Sequence, residues 1–345
     1  MSHLQTRTIG VLSALRRIPP TVSFFIPSTR ASRATLTTHP ALRMKESDIK
    51  RNPHPDFKGV EASRPPFDRD AAFSYTQTPQ PDWKAGGGAN NLPTGDAKHV
   101  TIDPNAEGRS PVNNYKLLIS AVVPRPIAFV STRSKDGKTT NLAPFSYFQL
   151  INHDPPLFII GFASSIENSE QSKHSLYNLK ETGECTINII SEHFLEAANS
   201  TSVNAPYGTS EWVISGLTPG YDCETVKCAR VKEAVFAIEG KLESLKEFES
   251  RSRPGKMSGT MAVVEGVRFW AREDAVNEER NLIDPAVLKP VSRLGGITYG
   301  RTIDGIELLR PDFDKDLGGM EAYQKLEAEK GGPDSKAAQS AQQKI

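Results

Sequence analysis

The sequence predicts a mainly β protein: an antiparallel, Greek-key-like barrel carrying short helical insertions. Three observations carry this. Strand-like runs recur at 121–132, 139–144, 157–162, 185–190, 235–245 and 260–270. An Asp-Gly pair at 136–137 lies between the first two, and Asp-Gly supplies the positive φ of a tight hairpin turn. Two short, capped helical stretches are all that interrupt the strands over residues 111–311, and that balance suits a barrel.

The elements follow in chain order. Residues 1–45 hold Arg7, Arg16, Arg17, Arg30, Arg33, Arg43 and Lys45, and the first carboxylate is Glu46. Leu4, Val11, Leu12, Leu15 and Ile18 share one helical face. An Arg-rich, acid-free, amphipathic start predicts a mitochondrial transit peptide. Residues 46–110 are dense in Pro, Gly and Asn, which blocks regular structure. Phe67, Phe73, Tyr75 and Trp83 make this extension too aromatic for a free tether, so Trp83 is expected to dock on the folded body or on a partner subunit.

The folded domain is expected at 111–311. A strand over Ala121–Thr132 contains Pro124 and Pro126 near its start, turns at Lys135–Lys138 and returns over Thr139–Pro144. Leu157–Phe162 is expected to be a fully buried strand. Ser172 is expected to cap a helix that stops at Gly183, with Leu176 and Leu179 on one face. Cys185–Ile190 forms the next strand. Ser191 caps a second helix carrying Phe194, Ala197, Ala198 and Thr201 on one side. Val235–Leu245 and Thr260–Trp270 complete the strands. Residues 312–345 hold one helical piece, then a polar tail.

Composition excludes several classes. Lys plus Arg is 42 against 41 for Asp plus Glu, a balance that argues against a nucleic-acid binder. The longest apolar run, Leu157–Ala163, is far short of the ~20 residues of a membrane span. Cys185, Cys223 and Cys228 make neither a disulfide framework nor a zinc pattern. H-E-x-x-H, G-x-S-x-G, Walker A and G-x-G-x-x-G motifs are absent. The histidines are scattered, and His153 and His193 read as loop or surface residues.

Two segments are candidates for chemistry, although on spacing alone the first reads equally as an ordinary helix cap with a solvated lysine and the second as core. Ser164-Ser165, then Ser172-Lys173-His174-Ser175, join the end of a buried strand to a helix start. Open N–H groups, the positive end of a helix dipole and one lysine suit a phosphate. Asn141-Leu-Ala-Pro-Phe-Ser146 offers a close backbone approach, hydrogen-bonding Asn141 and Ser146, and ring contacts from Phe145, as a planar heterocycle needs.

From about Asn114 to Arg310 the chain resembles the flavin reductase-like family, whose fold is an FMN-binding split barrel. The matching motifs are Val122–Thr132, Asn141–Ser146, Asp154–Pro156, Lys173–Ser175 with Asn178, Thr182–Glu184, Gly216–Pro219 and Val291–Gly296. The Arg280–Pro285 segment and the long extension resemble fungal-type members. The resemblance implies bound FMN and a homodimer. It puts Asn141, Ala143, Phe145 and Ser146 beside the isoalloxazine, and Lys173 and Ser175 at the phosphate. Ser131 and Thr132 are expected along the ribityl path, and Arg293 is expected to approach from the C-terminal segment. Where the family often has Lys-Asp-Thr, this chain has Lys-His-Ser. His174 therefore replaces an acid and is expected to make the site more cationic at low pH. No protein acid or base is expected, because the flavin carries the hydride. The expected activity is FMN-dependent oxidoreduction, with NAD(P)H as co-substrate and a flavin or small acceptor. The alternative is an FMN-binding electron relay.

Overall fold

A computed structural model describes residues 52–89, 97–166 and 173–330. The expected transit peptide, Ser172 and the polar tail beyond 330 lie outside the described residues.

Two elements fall in the Pro-rich extension: α1 (Phe57–Ala62) and β1 (Ser74–Thr76). The body then runs α2 (Pro111–Ala121), β2 (Ala128–Arg133), β3 (Thr140–Phe145), β4 (Phe148–His153), β5 (Pro156–Phe162), α3 (His174–Thr182), β6 (Glu184–Ile189), α4 (Leu195–Ser200), α5 (Glu211–Ser215), β7 (Pro219–Gly220), β8 (Arg230–Val231), β9 (Phe236–Glu249) and β10 (Met257–Ala271). It closes with α6 (Pro285–Leu288), β11 (Val291–Gly295), β12 (Thr298–Arg301), β13 (Asp304–Ile306) and α7 (Gly319–Lys330).

The main sheet has seven antiparallel strands in the order β3-β2-β6-β9-β10-β5-β4. Its two edges, β3 and β4, are consecutive in the chain and only Ser146 and Tyr147 join them. Three residue steps span at most ~11 Å. The edges therefore meet at that end, and the sheet must curl into a barrel. No ladder joins β3 to β4, so the barrel is split along this seam. Gly161 N–H donates to the Tyr147 carbonyl at 2.7 Å and holds the link against β5.

Inside the barrel, Ala128, Val130, Phe158, Ile160, Ile187, Ile238 and Val264 meet Leu176 and Leu179 of α3. Space there is tight: a Cβ on Gly240 would come within 2.6 Å of Val264 Cγ1. A second core lies on the other face of β2 and β3, where Phe129 and Leu142 pack with Phe194, Ala198, Trp212 and Val231. So β2 is buried on both faces.

Several expectations change. The strand expected from Ala121 begins at Ala128. Helix α2 precedes it, started by Pro111 and by Ser110, whose side chain accepts from Asn113 N–H. Pro124 and Pro126 cannot donate to a ladder, which delays the strand. The β5 strand is not fully buried; Phe158, Ile160 and Phe162 are buried in alternation with half-buried neighbours. An antiparallel barrel strand turns one face to the core, so period two is the natural pattern. Trp83 is 48% exposed, and its Nε1–H donates within its own loop to Gly88 O, 2.8 Å away. Other aromatics of the extension do engage the C-terminal segment. β1 pairs in parallel with β13, and the Arg301 guanidinium lies 4.2 Å over the Phe67 ring.

Candidate functional site

The site forms where β2 and β3 meet the first turns of α3. The hairpin turn sets the pairing: Gly137 takes φ 73°, and Thr132 falls opposite Asn141. Side chains alternate along a strand, so Asn141, Ala143 and Phe145 share one face of β3. Phe145 packs edge-on to Phe162 at 4.7 Å, which identifies this as the barrel-facing side. Ser146 follows, half-buried in the seam link.

α3 supplies the other wall. Ser175 and Asn178 lie three residues apart on one helix face. Asn141 Nδ2 donates to Ser175 Oγ at 2.7 Å, and Asn178 Nδ2 donates to Thr132 Oγ1 at 3.3 Å. All four side chains are buried. Lys173 is the N-cap of α3, without a side-chain capping bond of its own. Its backbone N–H donates instead to Ser164 Oγ at 3.0 Å, and the Ser164 carbonyl accepts from Thr260 Oγ1 at 2.8 Å. Ser164 thus holds the helix start, the task expected of Ser172. The next N–H groups point out of the helix end beside Lys173, where an anion is stabilised. Gly183 ends the helix at φ 69°, as expected.

His174 sits in this turn, edge-on to the Tyr207 ring at 5.0 Å. Burial first, then the Lys173 charge, lower its pKa below the ordinary histidine value. Any added positive charge therefore arrives only at more acid pH than the sequence suggests.

Thr132, Asn141, Ser164, Lys173 and Ser175 are therefore brought together, and Ala143 and Phe145 continue the same wall. Three expected site residues point elsewhere. Ser131 is next to Thr132 on a strand, so its side chain shares the opposite face with Phe129. Ser165 Oγ donates to Glu247 Oε1 at 2.9 Å, toward β9. Arg293 lies in β11, bridged by its backbone to Arg125. Its guanidinium donates to Gly296 O at 2.7 Å and covers the Tyr299 ring at 4.3 Å. Its own hairpin occupies it, with no bond to the α3 cluster.

Two participants were missed. Glu211, at the first turn of α5, is buried and accepts the Leu142 N–H at 3.1 Å. Tyr207 reaches Asn178 Oδ1 at 3.4 Å. No local pattern in the sequence marks either role. Asn178 had a signal, the i, i+3 spacing from Ser175.

Comparison with known proteins decides the family. The flavin reductase like domain matches residues 120–289. An uncharacterised protein of Halalkalibacterium halodurans is 33% identical over 211 residues, covering 61% of this chain and 97% of its own length. The chain belongs to the flavin reductase-like family. Among solved structures, nitrilotriacetate monooxygenase component B from Bacillus cereus is 32% identical with TM-score 0.55, covering 61% of this chain and 99% of that one. The Pseudomonas fluorescens 2-nitrobenzoate 2-nitroreductase is 28% identical with TM-score 0.52, covering 63% and 98%. The flavin reductase-like match contains every residue of the cluster, whereas Arg293 and the aromatic extension fall outside it.

Proposed function

We propose that this flavin-linked oxidoreductase holds FMN between β3 and α3 and takes electrons from NAD(P)H. The observation that carries the reading is the pairing of Asn141 with Ser175 beside Lys173. It sets a cation, a hydroxyl and a helix N-terminus at the end of a wall made by Asn141, Ala143 and Phe145. That donor set fits a phosphomonoester attached to a planar ring. When bound, FMN supplies hydride chemistry at its ring nitrogen, which needs no protein acid or base. Lys173 neutralises the phosphate, Ser175 and the first N–H groups of α3 orient it, and Phe145 keeps water from the ring. The two solved relatives named above, a monooxygenase component and a nitroreductase, support redox chemistry.

An anaerobic spectrum tests the reading. Wild-type protein supplied with FMN is expected to absorb near ~450 nm and to bleach with NADH or NADPH. No bound flavin sinks the cofactor assignment. Bound flavin that stays oxidised with both nucleotides favours the relay. Lys173→Glu is expected to weaken FMN binding about 100-fold, because each charge-assisted bond contributes roughly 1.5–3 kcal/mol and ~1.4 kcal/mol is tenfold. Stoichiometric flavin on that variant would remove the phosphate from α3.

A further inference from the structure

A narrow recess lies beside the cluster. Thr139, Thr140 and Asn141 line one side, His174 and Asn178 the other, and the 207–209 loop crosses the mouth. The space left between them does not admit a water molecule. A phosphate is larger than water, so it occupies this recess only after one of these walls moves. The β3 and α3 walls are fixed by buried bonds: Asn141 to Ser175, Asn178 to Thr132, and Leu142 to Glu211. The third wall is irregular backbone between α4 and α5.

Tyr207 is its contact point. The ring lies 5.0 Å from His174 and 6.2 Å from Tyr177, edge-on to both. Its hydroxyl donates to Asn178 Oδ1 at 3.4 Å and accepts from Thr139 Oγ1 at 3.5 Å. Both bonds are long, and the residue is 51% exposed. Few contacts resist opening. Gly208 follows at φ 91°, where a side chain would be strained and glycine turns freely.

We propose that Tyr207 is the gate over the phosphate end of the cofactor site, swinging out at Gly208 to admit FMN and returning to cover it. The inference rests on the FMN reading and adds to it the residue that controls exchange. A closed gate taxes entry by the fraction of time it is open, and a gate that recloses slows escape. Removing it speeds both steps, whereas removing an ordinary contact speeds escape alone.

Stopped-flow flavin fluorescence on the full chain gives both rate constants. Tyr207→Ala is expected to raise FMN association and dissociation by about tenfold each, moving their ratio less than about threefold. Tyr207→Phe keeps the ring and loses both hydroxyl bonds, so it should show a smaller rise in both. Riboflavin lacks the phosphate, and its association rate should be the same in wild type and variants. Unchanged FMN rates in both variants overturn the gate, as does faster dissociation with unchanged association. Equal acceleration of riboflavin overturns its placement at the phosphate end. Wild-type protein that takes up no FMN overturns the cofactor reading and the gate with it.

Discussion

Ser175 accepts the Asn141 amide while only 1% exposed. Ser175→Ala would leave that N–H buried without an acceptor, at a cost of roughly 1–3 kcal/mol. Urea denaturation should show the loss, and unchanged stability would remove the bond from the account. Ser175 and Lys173 could be read in the sequence because a helix start announces itself locally. The neighbouring His174 could be named but its charge could not. Its depressed pKa comes from burial and from Lys173, and burial is a property of the assembled site.

At the scale of elements, β3 is an edge strand, and edges need covering. Pro144 has no N–H to present, and Glu211 of α5 takes the Leu142 N–H. Burial pushes the Glu211 carboxyl above the ordinary carboxylate range, against the pull of that bond. A raised carboxyl pKa in the folded state contributes stability at low pH. That contribution is lost as pH rises from the unfolded value of ~4.3 through the folded one. Wild type should therefore lose stability relative to Glu211→Gln as pH rises above about 4, followed by denaturation at each pH. A gap that does not change with pH would show that Glu211 carries no desolvated charge. The strand itself was legible from its turn and its Pro. Its cover was not, because Glu211 lies 69 residues away.

Across the whole molecule, Glu239 ties the long β9 strand to the loop after β7. It is fully buried and accepts from Glu224 N–H at 3.0 Å, Thr225 N–H at 2.6 Å, Val226 N–H at 3.2 Å and Trp270 Nε1–H at 2.7 Å, with a further short bond from the Thr225 hydroxyl. Burial alone would raise its pKa, but these donors outweigh it and hold the carboxyl at about 2. A depressed carboxyl pKa contributes stability that is complete above the unfolded value of ~4.3 and disappears as pH falls toward 2. The contribution is on the order of 3 kcal/mol. Glu239→Gln should lose it at pH 7 and match wild type near pH 2, measured by thermal melting across that interval. A variant as stable as wild type at pH 7 would deny the anchor.

The sequence by itself determined the turn at Asp136-Gly137, the αL stop at Gly183, most of the barrel strands, and the family through the order of its motifs. Those signals are short-range: φ preference, side-chain alternation and capping act within a few residues. Only the tertiary structure decided the rest. Curling the sheet brought β3 to β4 across a two-residue link. It set Ser164 on the Lys173 N–H and Glu211 on β3, and it committed Arg293 to its own hairpin. It also swung Tyr207 over a helix 29 residues away from its hydrogen-bond partner's place in the chain. Such partners are chosen by register and curvature, which depend on every strand at once, and no local pattern of residues encodes them.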